Sequence, residues 1–332
     1  MSSDKKINIT VLGGGKGSYS MLSAIRDNDA YNISSIVSMS DSGGSTGVLR
    51  KEFDILPPGD IRRAVIALSR EHDLVKELFE YRYDKDTSVN GHVIGNLLIT
   101  AMSHVTGSFE KGLKQICKLF KVKGRVIPVT LEKSDLEVTL EDGTKVFGET
   151  NIDEANYDTS KCIVEAQLVP GVDANPKALR AIHKSDIIVL TFGDIYTSLV
   201  PNLLVSGMAE AICNSDAQVV YFTNLMTKKG ESTKGNHEHF EVIDFVEVIE
   251  KYLGKCMLDY VVVNNGYIPD NIAEKYKKLE HKSPVKIKNI NEFHGKNYEI
   301  LERDLLHEND RVRHSYDKVA KVIAEIAEKI KK

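Results

Sequence analysis

The amino-acid sequence predicts an α/β protein with a mainly parallel β-sheet and helices that cross over between its strands. Short apolar segments alternate with helical patterns over most of the chain, which is typical of such sheets. The apolar segments are also rich in Ile, Val and Leu, as expected for strands that are buried on both faces. The predicted strands are Ile7–Leu12, Ile33–Met39, Ile187–Phe192, Gln218–Thr223 and Tyr260–Val263.

Helices are predicted after most of these strands. Pro176 favours the first turn of a short helix that ends near His183, because proline has no backbone N–H to lose there. The segment 60–120 is predicted to be largely helical, and 315–332 has the apolar spacing of an amphipathic helix. Further helices are predicted at Ser18–Arg26, Asn202–Asn214 and Glu241–Leu253.

The segment 121–169 has a different pattern. Its side chains alternate around Asp142 and Gly143, and Asp-Gly between alternating runs is a strong hairpin signal. We therefore predict a small β-hairpin insertion at 121–169 that stays outside the parallel sheet. The whole chain, 1–332, is predicted to be a single α/β domain that contains this insertion.

Composition and charge exclude some classes of protein. The 332 residues include 44 Lys or Arg and 48 Asp or Glu, a net charge of −4, which argues against nucleic-acid binding through bulk positive charge. No apolar stretch approaches the roughly 20 residues that span a bilayer. We therefore expect a soluble, cytoplasmic protein with no membrane span, and a homo-oligomer, as many soluble proteins are. Four cysteines without a C-x-x-C pair predict reduced thiols.

The first predicted strand leads into a glycine-rich loop, GGGKGS (13–18), and then into a helix. Glycines let backbone N–H groups approach a phosphate, and the helix N-terminus adds partial positive charge. The loop matches neither the P-loop nor the strict G-x-G-x-x-G pattern, so a plain tight turn stays an alternative. The candidate phosphate contacts are Gly13, Gly14, Gly15, Lys16 and Gly17.

The second predicted strand ends in another loop rich in glycine and hydroxyl groups, SDSGGSTG (40–47). Two such loops at neighbouring strand ends would surround one anion with N–H and O–H donors and would suit a polyphosphate. Asp41 also stands where a dinucleotide-binding fold places its ribose-binding carboxylate, so a dehydrogenase stays an alternative, as does an exposed turn. The candidate ligand contacts are Asp41, Ser42, Gly43, Gly44, Ser45, Thr46 and Arg50.

The segment LPPGDIRR (56–63) enters a further helix. Asp60 is placed to cap that helix, and it is equally placed to share Mg²⁺ with Asp41, since Mg²⁺ prefers carboxylate and phosphate oxygens. Arg62 is a candidate phosphate ligand because the guanidinium fork matches phosphate oxygens. Arg63 fits either a ligand contact or a place on the surface.

Later segments add polar residues to the same region. In GHVIGNLL (91–98), Gly95 inside a helix indicates the close approach of another group. His92 and Asn96 are candidate ligand contacts there, although His92 also fits a capping or packing role. In open α/β sheets, ligands bind at the carboxyl ends of the strands. The candidates at three further strand ends are Gly193, Tyr196, Thr197, Ser198, Asn202, Asn224 and Asn264.

Together, these segments resemble the YvcK/CofD-like family, and most closely its YvcK branch, the gluconeogenesis factors. The chain departs from the usual family pattern at Lys16, Ser42 and Asp194. The resemblance implies a cytoplasmic, Rossmann-like three-layer α/β/α protein. It covers nearly the whole chain and rests on GGGKG, SDSGGSTGVLRKEFDILPPGDIRR, GHVIGNLL, GRVIPVTLE with the DGT hairpin, YTSLVPNLLVSGMAEAI and Arg313-His314.

The resemblance also implies a function. Its YvcK branch implies a regulatory protein that binds UDP-sugars such as UDP-N-acetylglucosamine, with roles in carbon utilisation and cell-shape control. Its CofD branch implies a 2-phospho-L-lactate transferase that moves a phospholactyl group from a nucleotide-diphosphate donor to a deazaflavin. In that alternative Asp41 and Asp60 hold Mg²⁺, and His92 or Arg62 stabilises phosphate charge. An NAD-dependent oxidoreductase is the third alternative, and it accounts only for the first loop and Asp41.

Overall fold

The computed structural model of the protein describes residues 6–70, 72–83, 89, 91–254, 256–289, 293, 295–307 and 311–330. Asn90 and the last two residues of the predicted C-terminal helix lie outside the described residues. In the part of the chain that is described, no helix combines the length and the apolar character needed to cross a membrane.

The strands confirm the predicted fold class. Seven of them form one parallel sheet in the order β10-β9-β8-β7-β1-β2-β3, with β1 near its centre. Their apolar side chains are buried almost completely, for example Ile9, Val11 and Val220. In chain order the strands are β1 (Ile7–Gly13), β2 (Tyr31–Val37), β3 (Arg125–Pro128), β4 (Asp135–Leu140), β5 (Lys145–Phe147), β6 (Ile163–Val169), β7 (Ile187–Leu190), β8 (Gln218–Phe222), β9 (Tyr260–Asn264) and β10 (Glu299–Arg303).

Helices flank the sheet and complete the three layers. One group packs α1 against α3 and α13, and another packs α10 against α8 and α11. A π-helix also spans Ile195–Leu199. The α-helices are α1 (Gly15–Ile25), α2 (Gly44–Phe53), α3 (Gly59–Leu68), α4 (His72–Glu80), α5 (Ile94–Thr106), α6 (Phe109–Leu119), α7 (Glu149–Asp153), α8 (Pro176–His183), α9 (Val200–Leu203), α10 (Met208–Cys213), α11 (Val242–Leu253), α12 (Asp270–Glu280) and α13 (Tyr316–Ile330).

The predicted hairpin forms around Asp142 and Gly143. Strands β4 and β5 pair antiparallel, Gly143 adopts a left-handed φ of 85°, and the Asp142 carboxylate accepts the Thr144 N–H at 2.9 Å. A third strand, β6, pairs with the other edge of β4, so the small sheet has three strands. One expectation is wrong: β3, at the start of the 121–169 segment, pairs in parallel with β2. Its apolar residues are buried there as in the other sheet strands.

The predicted helix Asn202–Asn214 is also different in the structure. It is divided into α9 and α10 because Gly207, which has a left-handed φ of 85°, precedes α10 and interrupts the helix. The remaining predicted helices are present with small shifts at their ends. Strand β10 and helix α12 have no counterpart among the sequence predictions.

Two cysteines differ from the expectation of reduced thiols. The sulfur atoms of Cys213 and Cys256 are joined in a disulfide, with Cα atoms 4.9 Å apart, while Cys117 and Cys162 are free. The pair is separated by 43 positions. It is brought together by the packing of α10 against α11, where the Cys213 sulfur atom also lies near the carbonyl oxygen of Leu253. No local sequence pattern signals such a pairing.

Candidate functional site

A cavity of about 520 Å³ lies at the carboxyl ends of the central strands. Its walls draw on distant parts of the chain, from Gly15 to Lys282. Three loops contribute about half of the lining residues: the first loop (13–18) after β1, the second loop (40–47) after β2 and the third loop (193–198) after β7. The starts of α3 and α7 complete the enclosure.

Three helices begin at this cavity. Gly15 starts α1, Gly44 starts α2 and Gly59 starts α3, and all three residues line the wall. Gly15 and Gly44 have left-handed φ angles of 61° and 44°, which glycine adopts without steric cost. The first N–H groups of a helix have no partner within the helix, and the helix dipole adds partial positive charge at this end. The arrangement is suited to a ligand with several negative charges.

Some glycines of the first loop line the cavity, and others allow the loop to pack closely against neighbouring segments. Gly15, Lys16 and Gly17 line the cavity. Gly13 and Gly14 do not: a Cβ atom at either would collide with the side chain of Thr191 or Asp60. Gly17 also lies against the third loop, since a Cβ there would come within 2.6 Å of the Phe192 carbonyl oxygen. The absence of side chains therefore lets the loops at β1 and β7 pack in direct contact.

Asp41 and Asp60 both line the cavity. The Asp41 carboxylate accepts the Gly43 N–H at 3.0 Å, and burial together with the negative charge of Asp60 raises the pKa of Asp41 to about 6. Asp60 does not cap α3, whose N-cap residue is Pro58; that expectation is wrong. Instead its carboxylate accepts a hydrogen bond from Arg63 at 2.6 Å, so Arg63, which also lines the cavity, compensates part of the negative charge.

Glu149 is a cavity residue that sequence reasoning missed. It begins α7 in the 121–169 segment, and its carboxylate accepts the Ser42 N–H at 3.2 Å. Burial and the negative charge of Asp41 raise the pKa of Glu149 to about 8. Only the position of α7 against the second loop reveals this residue. A single glutamate after a hairpin carries no local signal.

Ser42 and Arg50 connect the second loop to the small sheet. The Ser42 hydroxyl lies 3.0 Å from that of Thr150, and Arg50 donates to the Asp135 carboxylate at 3.0 Å and to the Ser134 carbonyl at 3.1 Å. Neither Ser42 nor Arg50 lines the cavity, in contrast to Gly43, Gly44, Ser45 and Thr46. The Ser42 contact holds α7 against the second loop, and the Arg50 contacts join α2 to the start of β4.

Asn96 faces the cavity, whereas His92 lies behind it. The Asn96 amide group donates to the hydroxyls of Ser45 and Thr46 at 3.3 and 3.5 Å, and its Oδ1 atom is buried with no partner among the described residues. The His92 Nδ1 atom lies 3.1 Å from the Ser45 hydroxyl, and the side chain is not part of the wall. The Asn96 side chain therefore belongs to the wall, whereas His92 is linked to the wall through Ser45.

Arg62 reaches the cavity from α3. It donates to the Phe79 carbonyl at 3.0 Å, and its buried Nε atom has no partner among the described residues. Burial and the neighbouring charge of Arg63 lower the pKa of Arg62 to about 10. The close approach expected at Gly95 is explained by this side chain, because a Cβ at Gly95 would lie 2.7 Å from the Arg62 Cδ atom.

The third loop presents only part of its polar groups. Gly193, Thr197 and Ser198 line the cavity, while Tyr196 is buried behind it. The Thr197 hydroxyl donates a hydrogen bond to the Glu231 carboxylate at 3.1 Å. This hydroxyl proton is therefore not available to a ligand.

Three asparagines lie further back. Asn202 donates to the Ser198 carbonyl at 2.9 Å and Asn224 to the Gly193 carbonyl at 2.9 Å, so both support the third loop from behind. Asn264 holds the turn after β9 by accepting the Leu305 N–H at 2.9 Å and the Gly266 N–H at 3.2 Å. None of the three lines the cavity.

Comparison with known proteins agrees with this architecture. The model of the family described as 2-phospho-L-lactate transferase CofD matches residues 9–306. The chain belongs to the CofD family. It is 37% identical to the gluconeogenesis factor of Halalkalibacterium halodurans, over 97% of each chain, and 33% identical to that of Bacillus subtilis, over 97% of this chain and 98% of the relative.

Solved structures place this CofD-family chain in the same group. A crystal structure of a member of the UPF0052 family from Bacillus halodurans has a TM-score of 0.88 and 36% identity, and the match covers 96% of this chain and 99% of that one. The resemblance to the YvcK/CofD-like family and the three-layer α/β architecture are therefore confirmed.

Proposed function

We propose that the cavity binds a nucleotide-diphosphate ligand, and specifically a UDP-sugar such as UDP-N-acetylglucosamine. The convergence of three helix N-termini on one cavity carries the proposal, because these ends suit a diphosphate group. A cavity of about 520 Å³ also falls within the usual range for small-molecule sites, roughly 300–1,000 Å³. The membership of the CofD family, named for a phospholactate transferase, supports a phosphate-bearing ligand.

Each part of the wall has a role in this proposal. The backbone at Gly15 and Gly44 and the hydroxyl of Thr46 hold the diphosphate, and Arg62 supplies positive charge. The Ser198 hydroxyl recognises polar groups of the sugar or the base, and the Asn96 amide group orients the hydroxyls of Ser45 and Thr46 at the wall. This arrangement needs no metal ion.

The similarity to gluconeogenesis factors supports a regulatory role. We propose a cytoplasmic protein involved in carbon utilisation and cell-shape control. We further propose that residues 1–332 fold as one domain and form a homo-oligomer. A single cooperative unfolding transition and a light-scattering mass above 37.0 kDa would support these two points.

A CofD-type phosphotransferase is the second candidate function. Asp41 and Asp60 favour it, because their two carboxylates line one cavity and offer oxygen ligands that suit Mg²⁺. The negative charge of Asp60 helps to raise the pKa of Asp41, and a bound cation would relieve this repulsion. Bound Mg²⁺ would neutralise phosphate charge during transfer. Arg62 is placed at the wall to stabilise charge on the phosphoryl oxygens, whereas His92 lies behind Ser45 and would act only through it.

Calorimetric titration separates these functions. UDP-N-acetylglucosamine, GDP and NAD are each added with and without Mg²⁺. Tight, metal-independent binding of the UDP-sugar is expected from the leading proposal, while binding of GDP only with Mg²⁺ would favour the transferase. Binding of NAD alone would refute both.

A further inference from the structure

An ion cluster lies beside the third loop, and two of its carboxylates belong to residues that line the cavity, Asp153 and Asp194. Lys228, which follows β8, places its Nζ atom 2.9 Å from the Asp194 carboxylate and 2.9 Å from the Glu231 carboxylate, and it also contacts the carboxylate of Asp153. The Lys228 side chain is 18% exposed and that of Glu231 is 1% exposed. These residues come from three separate segments: α7, the third loop and the segment after β8.

Glu231 holds the third loop by its backbone. Its carboxylate accepts the N–H groups of Tyr196 and Thr197 at 3.0 and 3.2 Å, in addition to the Thr197 hydroxyl. The donors at the start of the π-helix are therefore bound to the protein itself. Ser198 is left with its side chain at the cavity wall.

The cluster depends on one ammonium group. Carboxylate oxygens of Asp153, Asp194 and Glu231 all lie within 4.8 Å of one another, so their like charges repel. The repulsion acts most strongly on Glu231, whose side chain is 1% exposed, against 44% for Asp153 and 41% for Asp194. Lys228 is the cation that lies among them. Asp194, a departure from the usual family loop, is thereby matched by a partner charge.

We infer that Lys228 is a positioning residue, which fixes the third loop and α7 as two walls of the cavity without touching the ligand. The inference rests on the proposed function, since it assumes that this cavity binds the nucleotide-diphosphate ligand. Lys228 is not among the residues that line the cavity. Lys228 pairs with Glu231, whose carboxylate binds the backbone N–H of Thr197. It also pairs with Asp153, which ends the helix that begins with Glu149.

Two measurements on the full chain test the inference. Lys228→Met is compared with Lys229→Met, a matched control because Lys229 is adjacent and exposed. In Lys228→Met, we expect amide hydrogen exchange over 193–198 to accelerate more than about tenfold. The Kd for UDP-N-acetylglucosamine should rise between about tenfold and a hundredfold, as misplacement of binding groups produces. Lys229→Met should match the wild type in both.

Two further variants separate positioning from loss of the fold. Lys228→Arg retains the charge and should recover most of the affinity. Lys228→Met combined with Glu231→Gln removes the uncompensated buried carboxylate, so it should exchange more slowly over 193–198 than Lys228→Met alone. If Lys228→Met does not fold, the double variant is compared with the wild type instead. Faster exchange over 193–198 and a raised Kd in the double variant would then support the inference, and wild-type values of both would overturn it.

The outcomes distinguish this inference from the proposed function. Unchanged exchange over 193–198 and unchanged affinity in Lys228→Met would overturn it, as would failure of Lys228→Arg to recover affinity. If the wild-type protein binds no UDP-sugar, the proposed function fails, and hydrogen exchange alone still shows whether Lys228 positions the third loop.

Discussion

Replacing Glu149 by Gln is expected to stabilise the protein at neutral pH. Burial and the charge of Asp41 raise the pKa of Glu149 from 4.5 to about 8. In the unfolded chain this carboxyl ionises near pH 4.5, whereas in the folded protein it keeps its proton up to about pH 8. Folding therefore becomes less favourable as the pH rises between these two values. Glutamine keeps an acceptor for the Ser42 N–H and cannot ionise.

The magnitude follows from the same interval. From the unfolded pKa of 4.5 up to pH 7, the interval spans about 2.5 pH units, and each unit corresponds to about 1.4 kcal/mol. About 3.5 kcal/mol is thus an upper bound. Partial access to water reduces the expected gain to about 1–3 kcal/mol at pH 7. Near pH 4.5 the gain should vanish.

Urea unfolding from pH 4.5 to pH 8 measures this difference. Glu154→Gln is the matched control, because Glu154 lies at the end of the same helix and is exposed; its free energy of unfolding should stay within about 0.5 kcal/mol of wild type. The reasoning would be refuted if Glu149→Gln were less stable than wild type at pH 7, or if its advantage did not grow with pH.

The other predictions concern single groups of the site. Gly44→Val should raise the Kd for UDP-N-acetylglucosamine more than about tenfold, because a β-branched side chain at a left-handed φ displaces the start of α2. Ser198→Ala should raise that Kd by about two- to tenfold, the effect of one lost hydrogen bond. Asn264→Ala should lower the free energy of unfolding by about 1–3 kcal/mol without changing the Kd, because its bonds hold a turn. Asp41→Asn should abolish Mg²⁺-dependent turnover if the protein is a transferase.

Calorimetry and urea unfolding check the first three variants, and release of nucleotide from a diphosphate donor checks the fourth. Unaltered affinity in Gly44→Val would remove the second loop from the site. A weakened Kd in Asn264→Ala would place that residue nearer the ligand than its hydrogen bonds indicate. Turnover that survives Asp41→Asn would exclude a metal role for this carboxylate.

The sequence is most informative where one short segment determines the structure. The apolar runs predict β1, β7, β8 and β9 to within about two residues because strands buried on both faces need little else. Asp142 and Gly143 predict the hairpin through the turn geometry of this pair alone. The glycine loops predict the location of the cavity because parallel strands place their carboxyl ends along one edge.

Sequence patterns did not predict the residues that act through contacts between segments far apart in the chain. Glu149 and Lys228 stand in segments with no ligand-binding pattern, and only tertiary packing brings them to the second and third loops. Asn202 and Asn264 show the converse. Both were predicted as ligand-binding residues from their place beyond or at the end of a strand, but their side chains form hydrogen bonds with the backbone. Residue type and place along a strand cannot separate these two uses.

The residues of the cavity wall are spread along the chain from Gly15 to Lys282, and this affects the stability of the protein in the cell. No short segment of the chain contains the site, so a ligand that binds there binds the folded state and not the unfolded chain. At a ligand concentration 100 times the Kd, native-state stability rises by about 2.7 kcal/mol. Resistance to proteolysis, and with it the abundance of the protein, then follows the supply of the ligand.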